Sequence, residues 1–186
     1  MRKVFLAALL SIAMLSVSGR ADDYTVDPAH VGVNFKISHL GLSWTFGRFN
    51  DISGTFSIDP DPAKSSFALN IKTESVDTGN AKRDEHLRSP DFFNAKQFPA
   101  ITFKSTAVKP TDAGFQVTGD FTLHGVTKPI TFLLLGGRKA EFPPGTQRTG
   151  YTTELSIKRS DYGFDKFKDA VGDEVQISIS FEGVKK

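Results

Sequence analysis

Period-two alternation of apolar and polar residues recurs along almost the whole chain, and it restricts the fold to antiparallel sheet. Val31, Val33, Phe35 and Ile37 share one parity, with Gly32, Asn34, Lys36 and Ser38 on the other. Residues 52–59 repeat the pattern, placing Ile52, Gly54, Phe56 and Ile58 inward. Further strands are read from Phe67, Leu69 and Ile71, from residues 101–108, and from Phe115, Val117, Phe121 and Leu123. Residues 130–135, ITFLLL, read as a strand buried on both faces. Two last strands carry Tyr151, Thr153, Leu155 and Ile157, then Val175, Ile177, Ile179 and Phe181. Pro60-Asp61-Pro62, residues 110–114 and residues 124–127 supply turns, and Gly119 marks a bend or a close approach of ligand or backbone. Residues 39–44, HLGLSW, are read as an interruption of the first strand by one helical turn.

Eight alternating strands with tight turns and almost no helix predict an all-β fold, and the even count favours an antiparallel barrel over a sandwich. A closed eight-stranded barrel has no free edges and holds either packed side chains or one slender ligand. Composition bears on that choice. The chain has 17 Phe against three Tyr and one Trp, so its interior gains apolar area with few polar handles. An aromatic-rich core and an interior lined for a long apolar ligand both fit. In the second case the candidate tunnel lining is Phe35, Phe56, Phe67, Phe103, Phe115, Phe121 and Phe132.

Residues 1–21 have the organisation of a secretory signal peptide. Arg2 and Lys3 precede an apolar run over residues 4–17, and Ser18, Gly19 and Ala21 supply small residues for cleavage after Ala21. That run has fourteen residues, short of the roughly 20 needed to span a bilayer. Residues 22–186 then form one domain, exported and without a transmembrane segment, and periplasmic or secreted. Losing Arg2, Lys3 and Arg20 from 23 Lys+Arg leaves 20 against 21 Asp+Glu, a net charge of −1. Nucleic acid is therefore not the expected partner. With no cysteine, packing and strand pairing carry the stability that disulfides supply to many exported proteins.

Residues 77–99, DTGNAKRDEHLRSPDFFNAKQFP, are the longest departure from alternation. They read as a short helix or ordered loop that caps one side of the barrel, with Phe92, Phe93 and Phe98 pressed into the core. Three side chains are candidates for holding a polar head group at the barrel mouth: Arg83 and His86 in this stretch, and Arg48 between Gly47 and Phe49. Each has an alternative in pairing with a carboxylate. His30 and His124 read as structural. Enzymatic signatures are scarce. The four histidines, at 30, 39, 86 and 124, include no HExxH pair, and residues 59–64 lack the ligands of a calcium loop. No nucleophile or oxyanion donor accompanies Asp84-Glu85-His86.

Six blocks occur in order: YTVDPAHVGVNFKISHLGLS, GRFNDISGTFSIDP, SVDTGN, RDEHLRSPDFFNAKQFPAITFKS, VTGDFTLHGVTKPI and RSDYGF before VGDEVQISI. Together they resemble the YceI-like family over about residues 24–181. The resemblance implies an extended, lipocalin-like antiparallel barrel whose tunnel holds a long-chain isoprenoid, a quinone or a similar amphiphilic lipid. It also implies a periplasmic or secreted location, a homodimer in many members, and neither enzymatic activity nor a catalytic cofactor. Val31 follows His30 where the family often has serine, which removes a hydroxyl there. The competing function is a metal-assisted hydrolase acting on an amphiphile through His86, Glu85 and a further histidine. A third is a quinone-handling accessory to a membrane cytochrome.

Overall fold

The computed structural model describes residues 19–186; most of the expected signal peptide, residues 1–18, lies outside them. Ten strands run in chain order as β1 (Asp22–His39), β2 (Ser43–Phe49), β3 (Ile52–Ile58), β4 (Ser66–Lys72), β5 (Val76–Asp77), β6 (Ala100–Thr111), β7 (Gly114–Leu123), β8 (Val126–Glu141), β9 (Gln147–Lys158) and β10 (Val171–Lys185). Among the described residues one α-helix, α1 (Ala81–Arg88), stands between β5 and β6.

β2 and β3 act as one bent strand, because both pair antiparallel with β1: Phe49 opposite Val33, then Thr55 opposite Thr25. The sheet continues through β4, β6, β7, β8, β9 and β10, and β10 returns to β1, with Val33 opposite Ile179. Counting β2 and β3 together and setting aside the two-residue β5, which pairs only with β2, eight antiparallel strands close a barrel. Inward positions carry the apolar parity. Along β9, Tyr151 and Thr153 are buried and Leu155 and Ile157 partly so, while Thr152, Glu154, Ser156 and Lys158 are exposed. An apolar inside with a polar outside is the reverse of an outer-membrane barrel, whose lipid face is apolar. No described helix is long and apolar enough to cross a membrane.

Two strand readings are corrected. Residues 39–44 make a tight hairpin at Leu40-Gly41, both at positive φ, from which β2 starts at Ser43. No helical turn forms, because β1 and β2 pair down to His39 opposite Ser43. The apolar run at 130–135 is not buried on both faces: Leu134 is buried, but Leu133 and Leu135 face out and are exposed. The barrel wall is one layer thick, so alternate residues meet solvent whatever their polarity. Gly119 does mark a close approach. A Cβ there would stand 2.4 Å from the Lys104 carbonyl oxygen and 2.5 Å from Phe103 Cζ, beside a bulge at 105–107.

The two ends of the barrel differ. At the end where β1 starts, Phe56 stacks on Tyr24, with centroids 4.8 Å apart, and packs against Phe67, Tyr151 and Phe181. Ion pairs tie the strands around this plug. Asp22 accepts from Lys139 and Lys185 at 2.7 and 2.6 Å, and Asp27 from Arg148 at 2.6 Å. The lysine donors hold the Asp22 carboxyl down at about 2, and Arg148, then His30, push Asp27 lower still. At the opposite end, α1 and the two irregular stretches 77–99 and 159–170 cover the opening.

Candidate functional site: an apolar cavity under the cap

Between the plug and the cap the barrel encloses an apolar cavity. The cavity has a volume of about 190 Å³, and every lining side chain is apolar except Thr55, Thr102, Thr153 and Arg159. Its floor is Phe56, Phe67 and Phe181, and its walls include Phe35, Phe103, Phe121 and Phe132. Six of the seven phenylalanines proposed from parity therefore line it. Phe115 does not. It turns against Phe67 and Tyr151, at centroid distances of 6.0 Å each, and belongs to the packed end.

The cap forms the roof. Asn80 caps α1 by accepting from the Arg83 N–H at 3.1 Å, and the buried Asp84 accepts from the Thr78 N–H and hydroxyl at 2.8 and 2.5 Å. Arg88 ties the helix back by donating to the carbonyls of Glu74 and Val76. A helix this polar cannot bury a face of its own, so the apolar contacts come from its end and from the loop beyond it. Leu87, Phe92 and Phe93 reach the cavity, and Phe93 meets Phe49 and Phe164 edge-on at 5.6 and 5.3 Å. Phe98 is anchored outside the cavity, on the His124 ring at 4.6 Å. That contact and a hydrogen bond with the Tyr162 carbonyl give His124 the structural role expected of it.

None of the three head-group candidates lines the cavity. Arg48 lies on the outer face of β2 and donates to Asp77, joining β2 to β5. The Gly79 N–H, with Asn50 and Arg48, holds the Asp77 carboxyl below its usual range. Arg83 is turned back on Thr78, donating to its hydroxyl and carbonyl. His86 comes nearest: it contacts Asp91 at 3.3 Å and stands edge-on to Phe92, which does line the cavity. Their charges suggested the role, but charge does not determine where a side chain points. Among the described residues no three His, Asp or Glu side chains group in ligating geometry.

The charged group that does line the cavity is Arg159, just after β9, and it was not among the residues proposed from sequence. It is buried, and its guanidinium donates to four backbone carbonyls: Gly172, Phe164, Lys166 and Val171, at 2.8 to 3.0 Å. These bonds fold residues 159–172 over the opening and seat Phe164 in the roof. Next to it, the Ser160 N–H and hydroxyl, and to a smaller degree the charge of Arg159, lower the Asp173 carboxyl. The available signal was position: Arg159 opens the RSDYGF block, at the point where alternation stops.

A closed β-barrel with a roofed, almost wholly apolar interior defines the chain as a lipocalin-like barrel. It belongs to the YceI-like family, whose domain model matches residues 24–183. Protein YceI of Escherichia coli O17:K52:H18 is 42% identical over 192 aligned residues, covering 100% of both chains. Among solved structures, Burkholderia cenocepacia BcnA superposes with a TM-score of 0.75 at 29% identity, covering 84% of this chain and 98% of the other. A polyisoprenoid binding domain from Saccharophagus degradans, implicated in plant cell wall breakdown, shares the fold at a TM-score of 0.67 and 19% identity, over 88% of this chain and 98% of that one.

Proposed function

We propose that this protein is a non-enzymatic carrier that shelters the tail of a long-chain isoprenoid, a quinone or a similar amphiphilic lipid in the periplasm. The apolar cavity carries this reading. A channel walled by Phe35, Phe103, Phe121 and Phe132, closed below by Phe56, offers a chain-like hydrocarbon almost no polar atom to desolvate. Each CH₂ moved from water into such a wall gains about 0.8 kcal/mol. The solved barrel described as polyisoprenoid binding supports the ligand class through shared fold. The leader-like residues 1–21 support export. Head-group discrimination then falls to the roof, not to Arg48 or Arg83.

Mass spectrometry of an organic extract from protein purified without detergent tests this. The expected result is a co-purifying isoprenoid or quinone, and uptake of an isoprenoid alcohol added from ethanol. Phe121→Glu, which puts a charge in the wall, abolishes uptake while the circular dichroism of the barrel persists. A folded Phe121→Glu variant that still loads, or wild-type protein that neither contains nor takes up lipid, refutes the proposal.

A further inference from the structure

The β1–β2 hairpin, residues 36–46, carries a concentration of exposed apolar side chains beside the roofed end of the barrel. Leu42 is 83% exposed, Phe46 64%, Leu40 54% and Trp44 45%. Phe167, on the loop packed next to the hairpin, is 50% exposed. Soluble surfaces carry scattered exposed leucines, but contiguous apolar patches mark interaction sites. Two of these residues are also held in backbone conformations that disfavour them. Leu40 has φ of 54° and Phe167 of 57°, left-handed values that glycine or asparagine adopts at lower cost. At a hairpin tip, Asn-Gly would satisfy the turn without exposing a leucine.

Charge indicates what the patch meets. Residues 30–49 contain no Asp or Glu, and their cations are Lys36 and Arg48, apart from two histidines; around Phe167, Lys166 and Lys168 balance Asp165 and Asp169, so the basic character belongs to the hairpin. Lys36 lies over the Trp44 ring, 4.9 Å from its centroid. An aromatic ring with an apolar body and a polar edge, beside a lysine and with leucines projecting past it, matches the composition of a membrane-interface anchor. The patch is also continuous with the cavity. The Leu40 N–H donates to the Ala170 carbonyl at 2.7 Å, and Phe167 stacks on the lining residue Phe92 at 5.6 Å.

We propose that this hairpin, with Phe167, docks the open end of the barrel on an anionic phospholipid surface. There the roof at Phe92 and Phe167 meets the hydrocarbon from which cargo enters. The inference rests on the lipid-carrier reading, since a cavity for apolar chains needs a route that spares the chain from water. A second copy of the chain is the competing occupant, because residues 43–47 of β2 have no strand neighbour beyond β1. The exposed apolar groups lie at the turn tip and on the outer face, however, and not along that free edge.

Trp44 is the only tryptophan, so its emission reports on the hairpin alone. Vesicles of phosphatidylglycerol and phosphatidylethanolamine should shift the emission of the purified protein to the blue, and lipids brominated on their acyl chains should quench it. Phosphatidylcholine vesicles should do less. Leu42→Ser and Lys36→Glu should weaken partitioning, the first about tenfold, as expected for a leucine withdrawn from hydrocarbon. Both variants should still load an isoprenoid alcohol added from ethanol, while loading from vesicles slows. Loading from ethanol without any Trp44 response to vesicles refutes the docking and leaves the carrier reading intact. Failure to load by either route refutes the carrier reading instead. A blue shift that grows with protein concentration without vesicles, together with a sedimenting dimer, assigns the patch to a second copy and also refutes the docking.

Discussion

Where β1 begins, Phe56 is stacked between Tyr24 and Phe67 and fenced by Tyr151 and Phe181, and the strands around it are tied by Asp22 and Asp27 to lysine and arginine. Toward the other end the same strands wall an apolar cavity, and a polar helix, a pair of phenylalanines and an arginine-bound loop close it. The first end fills its interior with rings; the second leaves room. Stability and ligand capacity are thus assigned to opposite ends of one barrel. Substitutions should separate the two properties.

Truncating the plug has the largest expected effect. Phe56→Ala removes a buried ring packed against Tyr24, Phe67, Tyr151 and Phe181, and phenylalanine-to-alanine changes in cores cost about 3–5 kcal/mol. Urea denaturation should show that loss as a lower midpoint, whereas Phe92→Ala, in the half-buried roof, should lower the midpoint much less. Equal losses at the two sites would mean that the roof is as integral to stability as the plug, and the division between the ends would fail.

Arg159→Met should rank next and act locally. Methionine keeps the apolar stem but leaves four carbonyls without their donor; only the bond to Phe164 is fully buried and the other three carbonyls can turn to water, so the cost is about that of one unsatisfied buried group, about 1–3 kcal/mol. Limited proteolysis should find new cleavage within residues 159–172 while the plug end stays resistant. Protection unchanged from wild type would show that Phe164 and the remaining contacts hold the loop without the guanidinium.

Acid tests the plug end through its ion pairs. The Asp22 carboxyl is depressed to about 2 by hydrogen bonds from Lys139 and Lys185, against an ordinary value near 3.9 in an unfolded chain. Its contribution is complete above about pH 4 and is lost as the pH falls through about 2. Asp27, lower still because of Arg148, loses its contribution at more acid pH. The urea midpoint should therefore fall from pH 4 downward, and Lys139→Met with Lys185→Met should flatten that fall. An acid profile unchanged in the double variant would place the acid sensitivity elsewhere, for example at Asp77 or Asp173 near the open end, both of which are also depressed.

The inner face of the barrel was legible in the sequence because parity encodes it: Phe35, Phe103, Phe121 and Phe132 face inward for the same reason that Asn34, Lys104 and Asp120 do not, while closure was read from the even strand count. The continuous apolar run at 130–135 misled: Leu133 and Leu135 are exposed, and no count of hydrophobic residues distinguishes them from a core. The polar side of the site was least legible. Arg159 is held by main-chain carbonyls of an irregular loop, a set of partners that leaves no trace in side-chain identity. Arg48, Arg83 and His86 stood out for charge in a recognisable block, yet each is aimed by a local partner: Asp77, Thr78 or Asp91.

Arg48→Ala sets the lower limit of the comparison and is expected to change least. Its guanidinium is largely exposed and pairs with Asp77 across the outer face, and exposed pairs contribute little because water screens them. The thermal midpoint should move by no more than about 2 °C. Isoprenoid uptake should stay at the wild-type level, since Arg48 is outside the cavity wall. A clear loss of uptake with the midpoint unmoved would mean that the cargo's polar end extends past the roof and over the β2–β5 edge, and would return Arg48 to the binding site.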